Sequence, residues 1–324
     1  MTLSFYIDYF NRCCRELSML DRSNGCLAYY WYDFIKCSLI HGSILHHYTR
    51  GGFHKIKGVE RRKSMTYRRI LRTYKKCNSP QAQPLLEDKA RFNTHFQEVV
   101  RRAWLLSWTC SFEEFNELCD KCTDKGLIIK PYMGVNGENI RKCAVPAETG
   151  QRKELYSSLR KERYIIEECL EQHPDMKIGG KAVNTIRAFS ILDRNGNVQI
   201  LKLLLRVGVG DSVVDNYSAG GCVYEVDAKT GIVISPSLTK KGETVFIHPG
   251  TDTCMLGYRL PNWQKVLASI EKAQKLIPQN RFTGWDIAIT PDGVEFIEGN
   301  HNPGYELLEF FGTTGWYERI KPFV

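Results

Sequence analysis

Two carboxylates and one amide lie at the ends of two apolar stretches in GWDIAITPDGVEFIEGNHNPG, residues 284–304. Asp286 is near the start of the first stretch, and Glu298 and Asn300 end the second. Like charges placed opposite one another destabilise a sheet, whereas Mg²⁺ favours such oxygen ligands, with substrate phosphates completing its shell. The residues therefore predict a divalent metal site. The alternative is a solvated strand end with a chance pair of acids.

The turn between the two stretches decides whether these side chains meet. The Pro-Asp-Gly sequence at 291–293 is typical of a three-residue hairpin loop with its glycine in the left-handed conformation. In that register Asp286 faces Glu298, and Asn300 projects from the same face. A register displaced by one residue would place Glu298 opposite Trp285 instead.

A loop containing glycines could supply the phosphate contacts that such a metal requires. IIKPYMGVNGENI, residues 128–140, places Lys130 near the end of a predicted strand, before Gly134 and Gly137. Backbone N–H groups can hold phosphate oxygens where glycine allows close approach, and Lys130 could reach the same phosphates. The loop matches neither G-x-x-x-x-G-K-[ST] nor G-x-G-x-x-G, so an ordinary turn with a solvated lysine is the alternative.

Together with further motifs, these segments resemble the ATP-grasp superfamily. They are most similar to its sugar-transfer-associated group, which is linked to surface-polysaccharide genes. The similarity runs from about Asp88 to Gly312 in the order of the family. The further motifs are EDKARF at 87–92, YIIEECLEQHP at 164–174, VNTIRAF at 183–189 and LRVGVGDSVVDNYSAGG at 205–221.

The resemblance implies an α+β ATP-grasp fold, in which two α+β lobes clasp ATP, preceded by a helical and basic N-terminal region. The expected divisions are 1–87 for that region, 88–170 for a small lobe with the glycine loop, and 171–324 for a C-terminal lobe with the metal site. Local patterns agree with an α+β chain. For example, Ser111 and Glu114 predict a capping box at the start of a helix.

The resemblance also implies which residues bind ATP and its metal ion. Those expected at the nucleotide are Lys89, Lys130, Gly134, Gly137, Glu167, Glu168, Cys169 and Leu170. Of these, the two lysines would contact phosphates, and Glu167 would accept a hydrogen bond from the adenine amine. Mg²⁺, with Mn²⁺ as a substitute, would bind Asp286, Glu298 and Asn300.

The catalytic and substrate residues are less sharply defined. Many ATP-grasp ligases carry an arginine two residues before the first metal acid, where this chain has Gly284. Arg187 or Arg206 would then neutralise the transferring phosphate, and the sequence does not decide between them. The residues expected at the substrate are Asp215, Asn216, Gly220, Gly221 and His248. Alternatively, Asp215, Asn216 and the two glycines simply form a tight connection between strands, and the histidine caps a turn.

The net charge of +9 is concentrated between residues 51 and 83, which hold ten bases and one acid. Such a segment can bind nucleic acid, an anionic substrate such as a nucleotide-sugar or lipid pyrophosphate, or a membrane surface. It can also be a solvated helix face. Because the expected catalytic core lies elsewhere, docking of a substrate is favoured and nucleic acid is not expected as a partner.

Twelve cysteines without a secretion signal indicate free thiols and a cytoplasmic location. No apolar run reaches the roughly 20 residues that cross a bilayer. Cys119 and Cys122 have the spacing of a zinc or redox pair, but no second pair follows, so structural thiols are favoured. Nothing in the sequence indicates an oligomeric state.

For the activity, the resemblance implies an ATP- and Mg²⁺-dependent carboxylate ligase that works through an acylphosphate and releases ADP. It would join a small-molecule carboxylate to an amine or hydroxyl of a sugar or glycan-linked acceptor. One alternative is an ATP-grasp kinase that phosphorylates a small hydroxylated substrate. Another is a basic nucleic-acid-binding protein with a vestigial ATP site, which the intact lysines and metal acids argue against.

Overall fold

The structure is a computed structural model that describes residues 3–21, 23, 25–49, 51–133, 139–210, 220–238, 244–309 and 315–324. The chain forms two units. The core unit is Asn78–Pro303, and the helical unit combines Met1–Cys77 with Gly304–Val324. The divisions expected after residues 87 and 170 stay predictions.

The helical unit contains six α-helices among its described residues. They are α1 (Leu3–Ser18), α2 (Leu27–His41), α3 (Leu45–Thr49), α4 (Gly58–Lys63), α5 (Tyr67–Cys77) and α11 (Trp316–Ile320). Leu17, Phe34 and Tyr48 are buried in its core. Helix α2 ends at Gly42, whose φ of 71° is left-handed and lets its N–H donate to the carbonyl of Ser38.

A buried carboxylate holds the helices of this unit together. Asp33 on α2 accepts hydrogen bonds from the Arg61 guanidinium at 2.7 and 2.5 Å and from the Tyr48 hydroxyl at 2.8 Å. Burial alone would raise the pKa of Asp33, but these partners lower it well below its usual value. The carboxylate is therefore ionised and neutralised inside the unit.

The C-terminal segment completes the helical unit. The backbone N–H of Met65 donates to the Glu309 carboxylate at 2.5 Å, and the Arg69 guanidinium lies 4.6 Å from the ring centre of Tyr317. The ring of Tyr305 lies 5.8 Å from that of His47. Both ends of the chain therefore contribute to one packed unit.

The core unit begins with two short helices, α6 (Gln83–Glu87) and α7 (Lys89–His95). A four-stranded antiparallel sheet follows, in the spatial order β1-β4-β2-β3. Its strands are β1 (Trp104–Leu106), β2 (Leu127–Pro131), β3 (Arg141–Cys143) and β4 (Tyr164–Glu168), with helices α8 (Phe112–Lys121) and α9 (Thr149–Leu159). Helix α8 starts with the capping box of Ser111 and Glu114 that the sequence predicts.

A second antiparallel sheet has five strands in the order β11-β10-β5-β6-β7. They are β5 (Thr185–Leu192), β6 (Val198–Val207), β7 (Cys222–Val226), β10 (Phe282–Thr290) and β11 (Gly293–Asn300). The short strands β8 (Ser237–Leu238) and β9 (Thr244–Val245) pair separately, and helix α10 spans Trp263–Leu276.

The two faces of the second sheet have different chemistry. One face buries Trp285, Ile287 and Phe296 in the main core, together with Val266 and Ile270 of α10. Side chains alternate along each strand, so the residues between the apolar ones project from the opposite face. That opposite face carries the charged groups described next.

Candidate active site

The β10–β11 hairpin brings Asp286 and Glu298 directly opposite each other, as the sequence predicts. The predicted turn, however, is wrong. Thr290 pairs with Gly293, so the loop has two residues and Gly293 belongs to the strand. A β-bulge at Ile297 then restores the pairing of Asp286 with Glu298.

The bulge also changes which acids share a face. Glu295 pairs with Ala288 and Glu298 pairs with Asp286, two residues earlier on β10. In a regular strand, residues three apart project from opposite faces. Because Ile297 is an extra residue, Glu295 and Glu298 instead belong to the same face as Asp286.

Two arginines from neighbouring strands neutralise Asp286. The Nε of Arg187 lies 2.6 Å from Oδ1, and the Nη2 of Arg206 lies 2.9 Å from Oδ2. The pairing of β5 with β10 sets Arg187 directly beside Asp286. Burial alone would raise the pKa of Asp286, but the two guanidinium charges outweigh burial and lower it.

Glu298 has the opposite electrostatic environment. Its side chain is open to solvent, although protein atoms surround it densely, so the carboxylate lies in a recess. Burial in this recess and the negative charge of Asp286 raise the pKa of Glu298 to about 7. A metal cation bound in the recess would offset the repulsion between Glu298 and Asp286.

The residues of the recess fit a divalent cation. The amide nitrogen of Asn300 is a buried atom without a hydrogen-bond partner, whereas Oδ1 of Asp286 has the ion pair with Arg187 at 2.6 Å. The amide of Asn300 can turn its oxygen to that side. Among the described residues no cluster of three His, Cys, Asp or Glu side chains is set to hold a metal. Two acids and an amide do not fill the coordination shell of a divalent cation. Phosphate oxygens could occupy the remaining positions.

The position that often carries an arginine in ATP-grasp ligases is closed to any side chain. A Cβ atom on Gly284 would lie 2.5 Å from the Cβ of Pro303. The same Cβ would lie 3.4 Å from Nη1 of Arg187, so this guanidinium already reaches the neighbourhood of residue 284. The geometry therefore favours Arg187 over Arg206 as the replacement for the missing arginine.

Lys89, one of the two lysines predicted to contact phosphates, interacts electrostatically with the other, Lys130, and with Glu298. The Nζ of Lys89 donates to the carbonyl of Tyr132 at 3.0 Å. Burial lowers the pKa of Lys89, the charge of Lys130 lowers it further, and that of Glu298 opposes the shift. Both lysines thus belong to one electrostatic neighbourhood with the recess, while their contact with phosphate stays a prediction.

Glu167 lies in a buried network that the sequence did not reveal. Its carboxylate lies 2.5 Å from Nζ of Lys130 and 3.0 Å from Nη2 of Arg102, and it accepts from the Asn93 amide at 3.0 Å. Burial alone would raise the pKa of Glu167, but the adjacent bases lower it strongly. The adenine contact of Glu167 stays a prediction, and its Oε2, which contacts Lys130, keeps one further acceptor position.

Arg102 links the two sheets of the core unit. Its Nη1 donates to Glu295 on β11 at 2.9 Å and to the carbonyl of Phe296 at 2.6 Å, while Nη2 binds Glu167 on β4. Its side chain is 2% exposed. A glutamate inside the apolar run VEFI was the only sequence signal for this network, since a buried charge requires a partner.

The remaining residues predicted at adenine occupy the end of β4. Glu168 binds Nζ of Lys125 at 2.6 Å, and the N–H of Cys169 donates to the carbonyl of Gly126. Leu170 follows them and is half-buried. Their role in nucleotide binding stays a prediction.

The predicted substrate residues have different outcomes. Asp215 and Asn216, like Gly134 and Gly137, lie outside the described residues. Gly220 is exposed with a φ of 98°, and Gly221 is buried before β7. For both glycines a role at the substrate stays a prediction.

The substrate role of His248 stays a prediction, although its ring is surrounded by protein groups. The ring is fully buried. Its Nδ1 lies 3.3 Å from the Tyr224 hydroxyl, and its Nε2 lies 3.1 Å from the carbonyl of Gly208. Because both nitrogens have protein partners and solvent cannot reach the ring, His248 holds the local structure together.

The basic segment contributes to a pocket within the helical unit. The pocket has a volume of about 560 Å³. It is lined by Arg69, Arg72, Thr73, Lys75, Lys76, Tyr317, Lys321 and Val324. Five of these eight residues are basic, so the pocket suits an anion.

The model of the sugar-transfer associated ATP-grasp family matches residues 68–323. The chain belongs to this family. The resemblance and the α+β ATP-grasp fold predicted from the motifs are thereby confirmed, with helices preceding the core. No curated protein matches this ATP-grasp chain.

Several solved ATP-grasp enzymes are similar to the chain. The ATP-grasp ligase PsnB, solved with a minimal precursor, Mg and ADP, is 17% identical over 72% of this chain and 55% of its own, with a TM-score of 0.42. The ADP complex of N5-carboxyaminoimidazole ribonucleotide synthetase is 11% identical over 69% of this chain and 48% of its own, with a TM-score of 0.41. The D-alanine-D-alanine ligase from Coxiella burnetii is 11% identical over 70% of this chain and 51% of its own, with a TM-score of 0.41.

This ATP-grasp chain thus spans about half the length of the solved structures that it matches. At these TM-scores the similarity carries no conclusion about activity or substrates. Across the helices that the structure describes, none is long and apolar enough to cross a membrane. The cytoplasmic location expected from the sequence stays a prediction.

Proposed function

We propose that this protein is an ATP- and Mg²⁺-dependent carboxylate ligase that releases ADP. The observation that carries the proposal is the recess in which Asp286 and Glu298 face each other beside Arg187 and Arg206. Two acids alone could be a chance pair. Two acids and two arginines converging from four strands are an arrangement that suits a metal-bound polyphosphate.

The charge balance of the recess indicates how the metal would bind. Two guanidinium groups already offset the two carboxylates. A free divalent cation would therefore add excess positive charge, whereas a cation bound to a polyphosphate would bring negative charge with it. We expect Mg²⁺ to bind well only together with the nucleotide.

The side chains of the recess would have separate roles. Asp286, Glu298 and Asn300 would hold the cation. Lys89 and Lys130 would bind the phosphates as point charges. Bound ATP would supply the phosphate that activates a carboxylate as an acylphosphate.

Arg187 would offset the negative charge that develops on the transferring group, because its guanidinium reaches the neighbourhood of residue 284. Arg206 would hold Asp286 in its ionised form. Its Nε also donates to the Thr185 hydroxyl at 3.0 Å, so its position is fixed within the sheet.

For the substrates, we propose a small-molecule carboxylate and an amine or hydroxyl of a sugar or glycan-linked acceptor. The family description supports a link to sugar transfer. The basic pocket of the helical unit supports an anionic acceptor, such as a nucleotide-sugar or a lipid pyrophosphate. This acceptor chemistry would connect the protein to surface-polysaccharide formation.

The products of the reaction test the ligase proposal. The protein would be incubated with ATP, Mg²⁺, candidate acids and hydroxylamine, which intercepts an acylphosphate. We expect ADP, inorganic phosphate and a hydroxamate, all absent with Glu298→Gln. A stable phosphate ester without phosphate release would instead identify a kinase.

The basic pocket is tested by binding rather than turnover. Arg72→Gln/Lys76→Gln removes two of its cations, whereas Arg62→Gln/Lys63→Gln removes two exposed cations of the same segment outside the pocket. We expect only the first pair to weaken binding of a nucleotide-sugar. Equal losses in both pairs, or tight sequence-selective binding of duplex DNA at physiological salt, would contradict the pocket assignment.

A further inference from the structure

Most of the large hydrophobic side chains that are exposed in the described structure belong to the helical unit. On α1 they include Phe5, Ile7 and Phe10, and on α2 they include Tyr32, Leu39 and Ile40, all at least half exposed. The ring of Phe10 stacks on Trp31 of α2 at 5.5 Å, so the two helices are in contact. Such a large apolar surface is uncommon on a protein that has no partner.

Helix α2 is apolar on two sides, of which only one is packed. Tyr30, Phe34 and Cys37 face the core of the helical unit. Tyr32 and Leu39 lie on another side of the helix and are 63% and 69% exposed. A helix that is apolar on most sides is normally covered on most sides. The second side of α2 therefore requires a covering surface.

Cations lie beside this exposed side. The Nζ of Lys57 is 2.8 Å from the Tyr29 hydroxyl, and that of Lys36 is 5.8 Å from the ring centre of Tyr32. The Arg68 guanidinium donates to the carbonyl of Leu39 at 2.9 Å. The only acid of α2 is Asp33, which is buried and bound to Arg61. The exposed side of α2 therefore carries cations and no acid.

Outside α1 and α2, which together hold three bases and three acids, the helical unit is strongly cationic. The sequence of the helical unit contains seventeen bases and eight acids, a net charge of +9. The core unit contains twenty-eight bases and twenty-eight acids and is neutral. All the net charge therefore belongs to the unit that exposes the apolar side chains.

We propose that the helical unit docks on the surface of an anionic lipid bilayer through the α1–α2 surface. We define this surface by Ile7, Phe10, Tyr32, Leu39 and Ile40 with their neighbouring cations. Exposed aromatic and aliphatic side chains beside lysine and arginine are the composition of helices that lie in the plane of a membrane interface. The apolar groups would enter the interface, and the cations would contact lipid phosphates.

Charge complementarity favours a bilayer over a second copy of the chain. Two copies meeting through the α1–α2 surface would bring two cationic units together, at an electrostatic cost. An anionic bilayer would attract the same cations. The α1–α2 surface belongs to the helical unit and the recess of Asp286 and Glu298 to the core unit, so the proposal does not depend on the proposed ligase reaction.

Vesicle sedimentation tests the docking surface. The full chain would be mixed with vesicles of phosphatidylcholine alone, or of phosphatidylcholine with phosphatidylglycerol. We expect binding to the anionic vesicles only, weakened by salt. Tyr32→Gln/Leu39→Gln should weaken that binding roughly tenfold or more, since two buried apolar contacts are lost. Ile7→Gln/Phe10→Gln tests the same surface on α1, should the first pair fail to fold.

The control pair is Phe246→Gln/Ile247→Gln, which removes two exposed apolar side chains from the core unit. It should leave vesicle binding unchanged, and all variants should keep the ATP affinity of the parent protein. Absence of binding by the parent protein, or equal losses in the control pair, would overturn the proposal. The proposal would also be overturned if the parent protein were a dimer that does not bind vesicles and that Tyr32→Gln/Leu39→Gln converts to a monomer.

Discussion

Asp286 and Glu298 lie opposite one another, yet different neighbours control their protonation. Two arginines keep Asp286 ionised, whereas Glu298 is left to face the charge of Asp286 in the recess. Among the described residues, Glu298 has no basic partner as close as those of Asp286, so the cation that a nucleotide brings would be attracted mainly to Glu298. That cation would offset the repulsion from Asp286 that raises the pKa of Glu298.

Glu298→Gln should abolish Mg²⁺-dependent turnover while keeping the fold. The amide removes the negative charge that binds the cation, and it also removes the repulsion from Asp286, so the metal-free protein should be at least as stable. Steady-state turnover at saturating Mg²⁺ and thermal unfolding measure the two effects. Glu271→Gln, on the exposed side of α10, is the control, and full activity in Glu298→Gln would exclude the metal assignment.

Lys130→Ala should weaken the binding of ATP roughly tenfold or more, and that of adenosine much less, because its proposed partner is a phosphate. Isothermal titration with both ligands measures the difference. Lys125→Ala removes a half-exposed lysine bound to Glu168 and serves as the control. Equal losses of ATP and adenosine affinity in Lys130→Ala would argue against a phosphate contact.

At the scale of elements, the hairpin illustrates what the sequence could and could not reveal. The pairing of Asp286 with Glu298 was predicted from a three-residue turn that does not exist, and the bulge at Ile297 compensates for that error. Alternating apolar residues indicate the strands, but a bulge depends on contacts from outside them. Here Arg102 donates to the carbonyls of Phe296 and Ile297 from a distant part of the chain.

Local signals predicted local structure well. The capping box of Ser111 and Glu114 is as expected, because it depends on residues within one turn of the helix. The network of Arg102 with Glu167 and Glu295 joins residues far apart in sequence, so no local pattern could indicate it.

Arg102→Met should destabilise the protein by about 3–5 kcal/mol, because it leaves buried carboxylates without their partner. The double variant Arg102→Met/Glu295→Gln should recover part of this loss, since one unpaired charge is then removed. Urea denaturation of the single and double variants measures the coupling. If the two losses simply add, the contact of Arg102 with Glu295 contributes nothing specific.

At the scale of the whole molecule, a buried histidine should make the protein sensitive to mild acid. Burial lowers the pKa of His47 from 6.5 to about 4, so the ring is neutral in the folded protein. The unfolded chain binds a proton below about pH 6.5 and the folded chain does not. Stability should therefore fall as the pH decreases from 6.5 towards 4, by up to about 3 kcal/mol from this residue.

His47→Gln should reduce this slope, although it will also lower stability at neutral pH by disturbing the packing against Phe53. Denaturation in urea near pH 7 and near pH 5 measures the change. The slope should not vanish, because burial also lowers the pKa of His54. An unchanged difference between the two pH values would show that His47 does not control acid stability.

The return of residues 304–324 to the helices of residues 3–77 has a consequence for synthesis. A ribosome releases the N-terminal helices first, but Glu309, Trp316 and Tyr317 complete their packing only after the whole core unit has emerged. Until then, Met65 lacks its carboxylate partner and the Arg69 guanidinium lacks the ring of Tyr317. The nascent helical unit is therefore a candidate client for chaperones. A stop codon before residue 304 should reduce the yield of folded helical unit even though its first 77 residues are intact.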